Sequence, residues 1–323
     1  MAQPGTENPP PRGRIELHVH LDCSISYHVA RQIKPGISEA EWRRLLVAPQ
    51  HCLNLADYLT RADAAIVMLQ SLQSLELVTR DLFRQWREDG VVYGEFRFAP
   101  LEHTAGGLTA EAVMRQVCKT ALDCRQEFGI VGGVIVCSLR HYSEARSMEA
   151  AELALKFRDE GVVGFDLAGD EAAYGVSAHR RAYEMVKQEG LPRTVHAGEA
   201  CGPESLWEAL IELDPQRIGH GVRCIEDESL MKFIWVMGIV LEVCPTSNIQ
   251  TGVVSHIQDH PIDRLYRYGI PLCINTDSRT TTPTTLTQEC ELVGRAFGWT
   301  DTDFRRCFET ARAAAFQKPG PTS

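Results

Sequence analysis

The chain alternates eight times between a short apolar run rich in β-branched residues and a longer stretch, most of which carry helical periodicity. Short apolar runs separated by amphipathic stretches are typical of parallel βα units. Eight such units predict an α/β fold, a (β/α)8 TIM barrel. The predicted strands are Arg14–Leu21, Val91–Ala99, Ile130–Leu139, Val162–Leu167, Arg193–His196, Arg217–His220, Gly238–Val243 and Ile270–Asn275.

Most of the gaps between these strands predict one helix each. The gap from Asp22 to Gly90 is the longest, and we expect it to form a helical lid inserted after strand 1. A doubly wound open sheet is the alternative, but no Gly-x-Gly-x-x-Gly follows an early strand. The predicted helices are Thr109–Phe128, Ser143–Glu160, Ser177–Glu189, Glu204–Leu213 and Asp227–Val236, with Asp57–Leu77, Val78–Glu88 and an insertion near Lys34–Leu53 in the long gap.

The two ends of the chain differ in composition from the rest. Residues 1–13 are rich in Pro and Gly and contain no apolar stretch, so they do not resemble a signal peptide. We expect residues 1–13 to be a disordered tail, residues 14–316 to form a single barrel domain, and residues 317–323 to be a flexible tail.

Charge and cysteine content narrow the classes of partner and compartment. The net charge of −10 argues against nucleic acid as a partner, because phosphate binding needs a basic patch. No apolar run approaches the length that spans a membrane. The 11 cysteines are odd in number and include no Cys-x-x-Cys pair, which predicts reduced thiols in the cytoplasm.

Histidines and a carboxylate fall at the ends of four predicted strands. His18 and His20 lie two residues apart at the end of the first strand, so their side chains project to the same face. His196, His220 and Asp277 close the fifth, sixth and eighth strands. Catalytic side chains of TIM barrels lie at the C-terminal ends of the strands, so these five residues are candidates for one site.

This set of residue types suits a catalytic zinc site. Three histidines and one carboxylate can hold zinc and leave a position for water, whose pKa the metal lowers from ~15.7 to about 7. Glu199 follows His196 by three residues and would lie in the loop beside the metal. A buried carboxyl group there would be protonated and could act as an acid.

Six motifs, spread in order from residue 14 to about residue 310, resemble those of the adenosine deaminase family. They are Glu16-Leu17-His18-Val19-His20-Leu21-Asp22, Asp166-Leu167-Ala168-Gly169-Asp170-Glu171, Val195-His196-Ala197-Gly198-Glu199, Arg217-Ile218-Gly219-His220-Gly221-Val222-Arg223, Cys244-Pro245-Thr246-Ser247-Asn248 and Asn275-Thr276-Asp277. The resemblance covers nearly the whole chain.

The resemblance implies a hydrolase that converts the 6-amino group of a small purine nucleoside or base to 6-oxo and releases ammonia, with one zinc per chain. It implies that Glu199 protonates a ring nitrogen and that His220 and Asp277 orient and deprotonate the attacking water. The implied metal ligands are His18, His20, His196 and Asp277. The implied substrate contacts are Asp22 with the sugar hydroxyls, the Gly169 N–H with a second ring nitrogen, and His20 and Ser278 in the same pocket.

Two positions and one segment depart from the family pattern. Ser278 stands where the family has a second Asp that bonds the imidazole-side nitrogen of the purine, and Cys23 stands where it has a small Gly. The segment Tyr58–Ala65 carries small residues where more aromatic cover is expected. The substrate-facing wall is therefore altered, and a modified adenine such as aminodeoxyfutalosine or an N6- or 5′-substituted adenosine is an alternative substrate.

Two alternatives concern the type of protein. A catalytically dead relative could bind nucleosides or act as a signalling ligand, but Glu199 and His220 are intact, as are all four implied ligands. A two-metal amidohydrolase would need a bridging ligand, often lysine, at the end of the fourth strand. The segment Asp166–Gly169 offers none.

Overall fold

Eight parallel β-strands form the centre of the computed structural model, which describes residues 13–318. Each predicted strand is confirmed within three residues at either end. The strands are β1 (Arg14–His20), β2 (Val91–Phe98), β3 (Val131–Leu139), β4 (Val162–Ala168), β5 (Thr194–Ala197), β6 (Arg217–His220), β7 (Val240–Val243) and β8 (Leu272–Ile274). The predicted tails lie almost wholly outside the described residues.

The strands close into a barrel at two seams. They form two four-stranded parallel sheets, β1 to β4 and β5 to β8, each in sequence order. A bridge between Phe165 and Arg193 joins β4 to the start of β5, and a bridge between Val19 and Asp277 joins β1 to the segment after β8. This closure confirms the TIM barrel and rules against an open doubly wound sheet.

Thirteen α-helices surround the barrel in the described part of the chain, and four of them lie between β1 and β2. Whether that insertion acts as a lid stays a prediction. The helices are α1 (Tyr27–Ile33), α2 (Glu39–Leu46), α3 (Leu55–Met68), α4 (Leu72–Glu88), α5 (Ala110–Phe128), α6 (Glu144–Lys156), α7 (Arg180–Gln188), α8 (Pro203–Leu213), α9 (Glu228–Met237), α10 (Pro245–Gln250), α11 (Ile262–Tyr268), α12 (Leu286–Phe297) and α13 (Asp301–Ala314).

One predicted helix boundary is wrong. The sequence pattern places a break between Leu77 and Val78, whereas the chain breaks at residues 69–71, between α3 and α4. The reason is a capping box, in which the Ser71 side chain accepts from the Ser74 backbone N–H and Ser74 accepts from the Ser71 N–H. This exchange satisfies amide groups that a helix start leaves free. The apolar periodicity continues across the break and hides it.

Charged side chains occupy the inside of the barrel, while apolar side chains fill the space between strands and helices. Each charge has an opposite partner. Arg97 bonds Asp166 at 3.0 Å and Glu242 at 2.7 Å, and Arg217 bonds Glu95 at 2.7 Å. A buried charge is tolerated when it is paired in this way. The interior set, none more than 1% exposed, is Glu95, Arg97, Asp166, Arg217 and Glu242.

The structure also bears on two expectations from the sequence, the state of the cysteines and the absence of a membrane-spanning segment. All eleven cysteines are free thiols, and most are buried. Within residues 13–318, no helix combines the length and the apolar character needed to cross a membrane.

Candidate active site

Four strand ends bring the predicted histidines and Asp277 together at one mouth of the barrel. His18 and His20 come from β1, His196 from β5, and His220 from the end of β6. Asp277 follows β8 with a φ of 64°, a conformation that costs energy for a non-glycine residue. Hydrogen bonds to β1 hold it there, because its N–H donates to the His18 carbonyl and its carbonyl accepts from His20.

Several nitrogen and oxygen atoms that can bind a metal face one another at short range in this cluster. The Nε2 atoms of His20 and His196 are 3.1 Å apart, and Asp277 Oδ1 lies 3.2 Å from His18 Nε2 and 3.4 Å from His20 Nε2. His18 Nε2 is buried and has no hydrogen-bond partner. Ligands of a tetrahedral zinc with Zn–N bonds of ~2.0–2.1 Å lie roughly 3.3 Å apart, so these residues fit the metal.

The outer nitrogens of two histidines are held by carboxylates. His18 Nδ1 donates to Glu242 at 2.8 Å, and His196 Nδ1 donates to Asp166 at 3.1 Å. Burial works to lower the pKa of His18, but its contacts with Asp277 and Glu242 raise it overall. Both histidines therefore carry the proton on Nδ1 and turn an Nε2 lone pair toward the cluster, the arrangement typical of metal-bound histidines.

His220 lies in the same cluster, but its hydrogen bonds give it the opposite tautomer. The Ile262 N–H donates to His260 Nδ1, so His260 donates from Nε2 to Asn248 Oδ1 at 3.2 Å. The Asn248 amide nitrogen then donates to His220 Nδ1 at 3.0 Å. Burial lowers the pKa of His220 well below its usual value, so the ring is neutral. Its single proton therefore lies on Nε2 and points into the site.

Glu199 lies beside His220, with Oε2 3.5 Å from His220 Nε2. Burial raises the pKa of Glu199 well above its usual value, and the negative charges of Asp277 and Glu171 add to the effect. Glu171 also fixes the loop, because its carboxylate accepts from the N–H groups of Gly198, Glu199 and Cys201 at 2.6–3.0 Å. The Glu199 carboxyl group is thus held in a defined place, in surroundings that favour its protonated form.

A pocket of about 320 Å³ opens above the cluster, a volume within the range of small-molecule sites. His18 lies beneath its floor. No lysine or arginine is among the residues that line it, whereas Asp63 and Asp170 are. The predicted site residues that line it are His20, Asp22, Gly169, His196, Glu199, His220, Asp277 and Ser278.

Tyr58 is the one aromatic residue of the segment Tyr58–Ala65, and its side chain on α3 enters the pocket. Tyr58 is 5% exposed, and its hydroxyl lies 3.4 Å from Ser278 Oγ and 3.5 Å from Asp277 Oδ2. Cys23 also lines the pocket, as do the small residue Ala62 and the apolar side chains of Leu59 and Ile66. The wall beside Ser278 is therefore shared between a strand end and the insertion.

The sequence interpretation missed the residues that orient the histidines. It gave no role to Glu242, Asp166 or Arg97, and it left Glu171 open between a substrate contact and a helix charge. A signal was present, because Glu242 and Arg97 each interrupt a short apolar strand. A charge at an inward strand position must find a partner, so these residues mark a polar network.

Comparison with known proteins identifies one family. The family model described as "Adenosine deaminase" matches residues 13–319. An adenosine deaminase of Enterococcus faecalis is 35% identical over 312 residues, which cover 95% of this chain and 92% of that protein. Adenine deaminase from Arthrobacter aurescens has the same fold, with a TM-score of 0.88, 24% identity, and coverage of 96% of this chain and 95% of that one.

A third similar structure contains a nucleotide. The Arabidopsis ADAL protein complexed with IMP has a TM-score of 0.83 and 26% identity, and the match covers 94% of this chain and 92% of that one. Both structures share the fold of the present chain.

Proposed function

Because this chain belongs to the adenosine deaminase family and is thus a metal-dependent hydrolase that deaminates adenosine-type substrates, we propose which of its residues carry out the reaction. Glu199 is the proton donor and one zinc ion per chain is the metal. The observation that carries this proposal is the position of Glu199, which is buried beside the histidine cluster in the pocket, where burial raises the pKa of its carboxyl group.

We assign the metal to His18, His20, His196 and Asp277. A second possible set contains His220 in place of His20, because one potential ligand atom from each of its four residues lies within 4.8 Å of the others. A histidine binds metal through a lone pair, and the Nε2 of His220 carries a proton directed into the site. His18 and His196 carry their proton on Nδ1, so each turns an Nε2 lone pair toward the cluster, which supports the set that excludes His220.

Zinc at such a site supplies Lewis acidity and lowers the pKa of water to about 7. His220 contributes a directed Nε2–H that orients the attacking water. Asp277 is the base, because its pKa is held well below its usual value by its histidine neighbours despite its burial, so it is ionised. This division departs from the expectation that His220 also removes a proton, since its inward nitrogen already carries one.

Glu199 and Gly169 act on the purine ring. Attack at the carbon that bears the amine places negative charge on the adjacent ring nitrogen, and a proton from Glu199 neutralises it. The Gly169 N–H bonds a second ring nitrogen, and Asp22 accepts from the sugar hydroxyls. The proton that Asp277 takes from the attacking water passes to the amino group, which leaves as ammonia, and the new hydroxyl group returns a proton to Glu199 and becomes the 6-oxo group of the product.

The lining of the pocket favours a nucleoside or base over a nucleoside monophosphate. Phosphate recognition uses arginine, lysine or a helix N-terminus, and the lining offers carboxylates instead. The free state of all eleven cysteines supports our proposal of a cytoplasmic location. A substituted adenosine is the second candidate, because Cys23 and Ser278 depart from the family pattern.

Ammonia release from a substrate panel tests the proposed function. The zinc-loaded protein is assayed with adenosine, deoxyadenosine, adenine, N6-methyladenosine, 5′-methylthioadenosine, aminodeoxyfutalosine and AMP. We expect ammonia and a 6-oxopurine in equal amounts from at least one uncharged member, with kcat/KM for AMP lower. Zinc-loaded protein that releases ammonia from none of them would contradict the proposal.

A further inference from the structure

A chain of hydroxyl and amide groups runs from the insertion to the pocket wall beside Asp277. It begins at the backbone carbonyls of Ala48 and Pro49, each 3.3 Å from Gln250 Nε2. These contacts fix the Gln250 amide, because only its NH₂ group can donate to a carbonyl. Gln250 Oε1 therefore faces Thr282 and accepts its hydroxyl proton at 2.8 Å.

The position of the Tyr58 proton follows from that of Thr282. A hydroxyl group has one proton, and Thr282 has donated its own to Gln250. The Tyr58 hydroxyl lies 2.8 Å from Thr282 Oγ1, against 3.4 Å from Ser278 and 3.5 Å from Asp277. The short contact is the strong hydrogen bond, so Tyr58 donates to Thr282. Its remaining lone pair faces the pocket as an acceptor.

Ser278 can act as a hydrogen-bond donor beside the acceptor on Tyr58. Its Oγ accepts the Thr282 backbone N–H at 2.7 Å, and its own proton meets the Tyr58 hydroxyl at a long 3.4 Å, a weak contact that an acceptor on the substrate can replace. Ser278 is 1% exposed and lines the pocket with Tyr58. The wall thus presents one donor, on Ser278, next to one acceptor, on Tyr58.

A 6-aminopurine carries the matching pair on its imidazole side, where the acceptor N7 is next to the donor 6-amino group. We propose that Ser278 and Tyr58 together recognise this edge, with Ser278 donating to N7 and Tyr58 accepting from the amino group. The proposal rests on the proposed function, which places Ser278 beside that edge. It makes Tyr58 a specificity-determining residue and Thr282 the residue that positions its proton.

Removal of the Thr282 hydroxyl tests the direction of the Tyr58 proton. In Thr282→Val the Tyr58 proton loses its acceptor and turns toward the pocket, so the wall no longer accepts from an amino group. The substrates are adenosine and 6-methoxypurine riboside, which has an acceptor in place of the amino donor. We expect the ratio of kcat/KM for adenosine to that for the methoxy compound to fall about 10-fold, the effect of one hydrogen bond of roughly 1.4 kcal/mol.

Two further variants separate this role from a structural one. Thr282→Ser keeps the hydroxyl and should retain the wild-type ratio. Tyr58→Phe removes the acceptor and should also lower the ratio, and it serves as the test should Thr282→Val not fold. Purine riboside has N7 but no 6-substituent, so its inhibition constant should change less than threefold in Thr282→Val and in Tyr58→Phe. Thermal unfolding identifies any variant that has lost its fold.

Ser278→Ala tests the other half of the pair. Wild type should prefer adenosine to 7-deazaadenosine, which lacks the N7 acceptor, and Ser278→Ala should lower that preference about 10-fold. Unchanged substrate ratios in folded Thr282→Val and Tyr58→Phe would overturn the role of Tyr58. An unchanged ratio in Ser278→Ala would overturn the role of Ser278. A wild-type protein that acts on no 6-aminopurine would overturn the proposed function itself.

Discussion

The carboxyl group of Glu199 shows how burial prepares a single residue for chemistry. Burial and two neighbouring carboxylates keep it protonated at a pH where an exposed glutamate is ionised. Glu199→Gln keeps the shape and removes the acidic proton. We expect kcat to fall at least ~10²-fold, the lower end for a general acid, while zinc content and fold are retained. Steady-state kinetics and elemental analysis measure both quantities.

A matched control for this prediction is Glu204→Gln, which changes an exposed glutamate in the next helix. It should keep wild-type kcat. Because the pKa of Glu199 is raised, wild-type activity should be present at lower pH and decline as pH rises through that pKa. Wild-type turnover in Glu199→Gln would remove Glu199 from the acid role.

Glu289 predicts a pH dependence of stability that is independent of the site chemistry. It is 1% exposed, and burial raises its pKa from 4.5 to about 7 despite hydrogen bonds with Thr246 and Thr284. Between these two values the unfolded chain ionises Glu289 while the folded chain keeps it protonated. Its contribution to stability is therefore fully present below pH 4.5 and is lost as pH rises through about 7.

Glu289→Gln should remove this loss because glutamine does not titrate. Each pKa unit corresponds to ~1.36 kcal/mol, so the variant should gain about 3 kcal/mol relative to wild type between roughly pH 4.5 and pH 8. Urea unfolding of metal-free protein at both pH values measures the gain. The exposed Glu291→Gln is the control. A pH-independent difference between wild type and Glu289→Gln would contradict the shifted pKa.

At the scale of elements, side chains from strands that are not neighbours in the barrel form one hydrogen-bonded network, which orients two of the proposed metal ligands. Arg97 on β2 connects Asp166 on β4 with Glu242 on β7, and these two carboxylates orient His196 and His18. Asp166→Asn leaves an acceptor for His196 but removes the charge that faces Arg97. We expect zinc affinity to fall about 10–100-fold, as for other outer-shell changes at metal sites.

Competition with a chelator of known affinity measures this change. Asp159→Asn, which alters an exposed aspartate just before β4, should leave zinc affinity unchanged. Equal zinc affinity in wild type and Asp166→Asn would mean that the orientation of His196 does not depend on this carboxylate.

The accuracy of sequence-based prediction also differs between elements. Strand positions were predictable because a buried parallel strand requires a mostly apolar run, which β3 shows from Val131 to Cys137. The break between α3 and α4 was not predictable from the apolar pattern, because the Ser71 cap acts locally while the apolar stripe continues through the break. The ligand candidates followed from the rule that catalytic residues occupy strand ends. The tautomer of His220 depends on His260 and Asn248, which only the folded chain brings together.

Zinc binding couples the site to the stability of the whole molecule. The four proposed ligands come from β1, β5 and the segment after β8, on both sides of one barrel seam. We expect purified protein to contain about one zinc per chain. A metal that binds only the folded state stabilises it by about 4 kcal/mol when free zinc exceeds its Kd 1,000-fold. Chelation should therefore lower Tm and abolish turnover, and added zinc should restore both.

Elemental analysis and thermal unfolding of chelated and reloaded protein test this expectation, with His196→Ala as the variant that loses most of its metal. Two metal ions per chain would point to the two-metal alternative. A Tm that does not respond to chelation would show that the site does not bind zinc tightly in the folded state.

The paired charges inside the barrel also limit how this sequence can change over generations. Glu242 forms ion pairs with two guanidinium groups, and Arg97 and Arg217 each form ion pairs with two carboxylates. Replacing one member leaves an unpaired buried charge, which costs about 3–5 kcal/mol out of a total stability of roughly 5–15 kcal/mol. Single-step mutational drift at these positions is therefore blocked, and descendants of this chain should either keep the set or exchange several members at once.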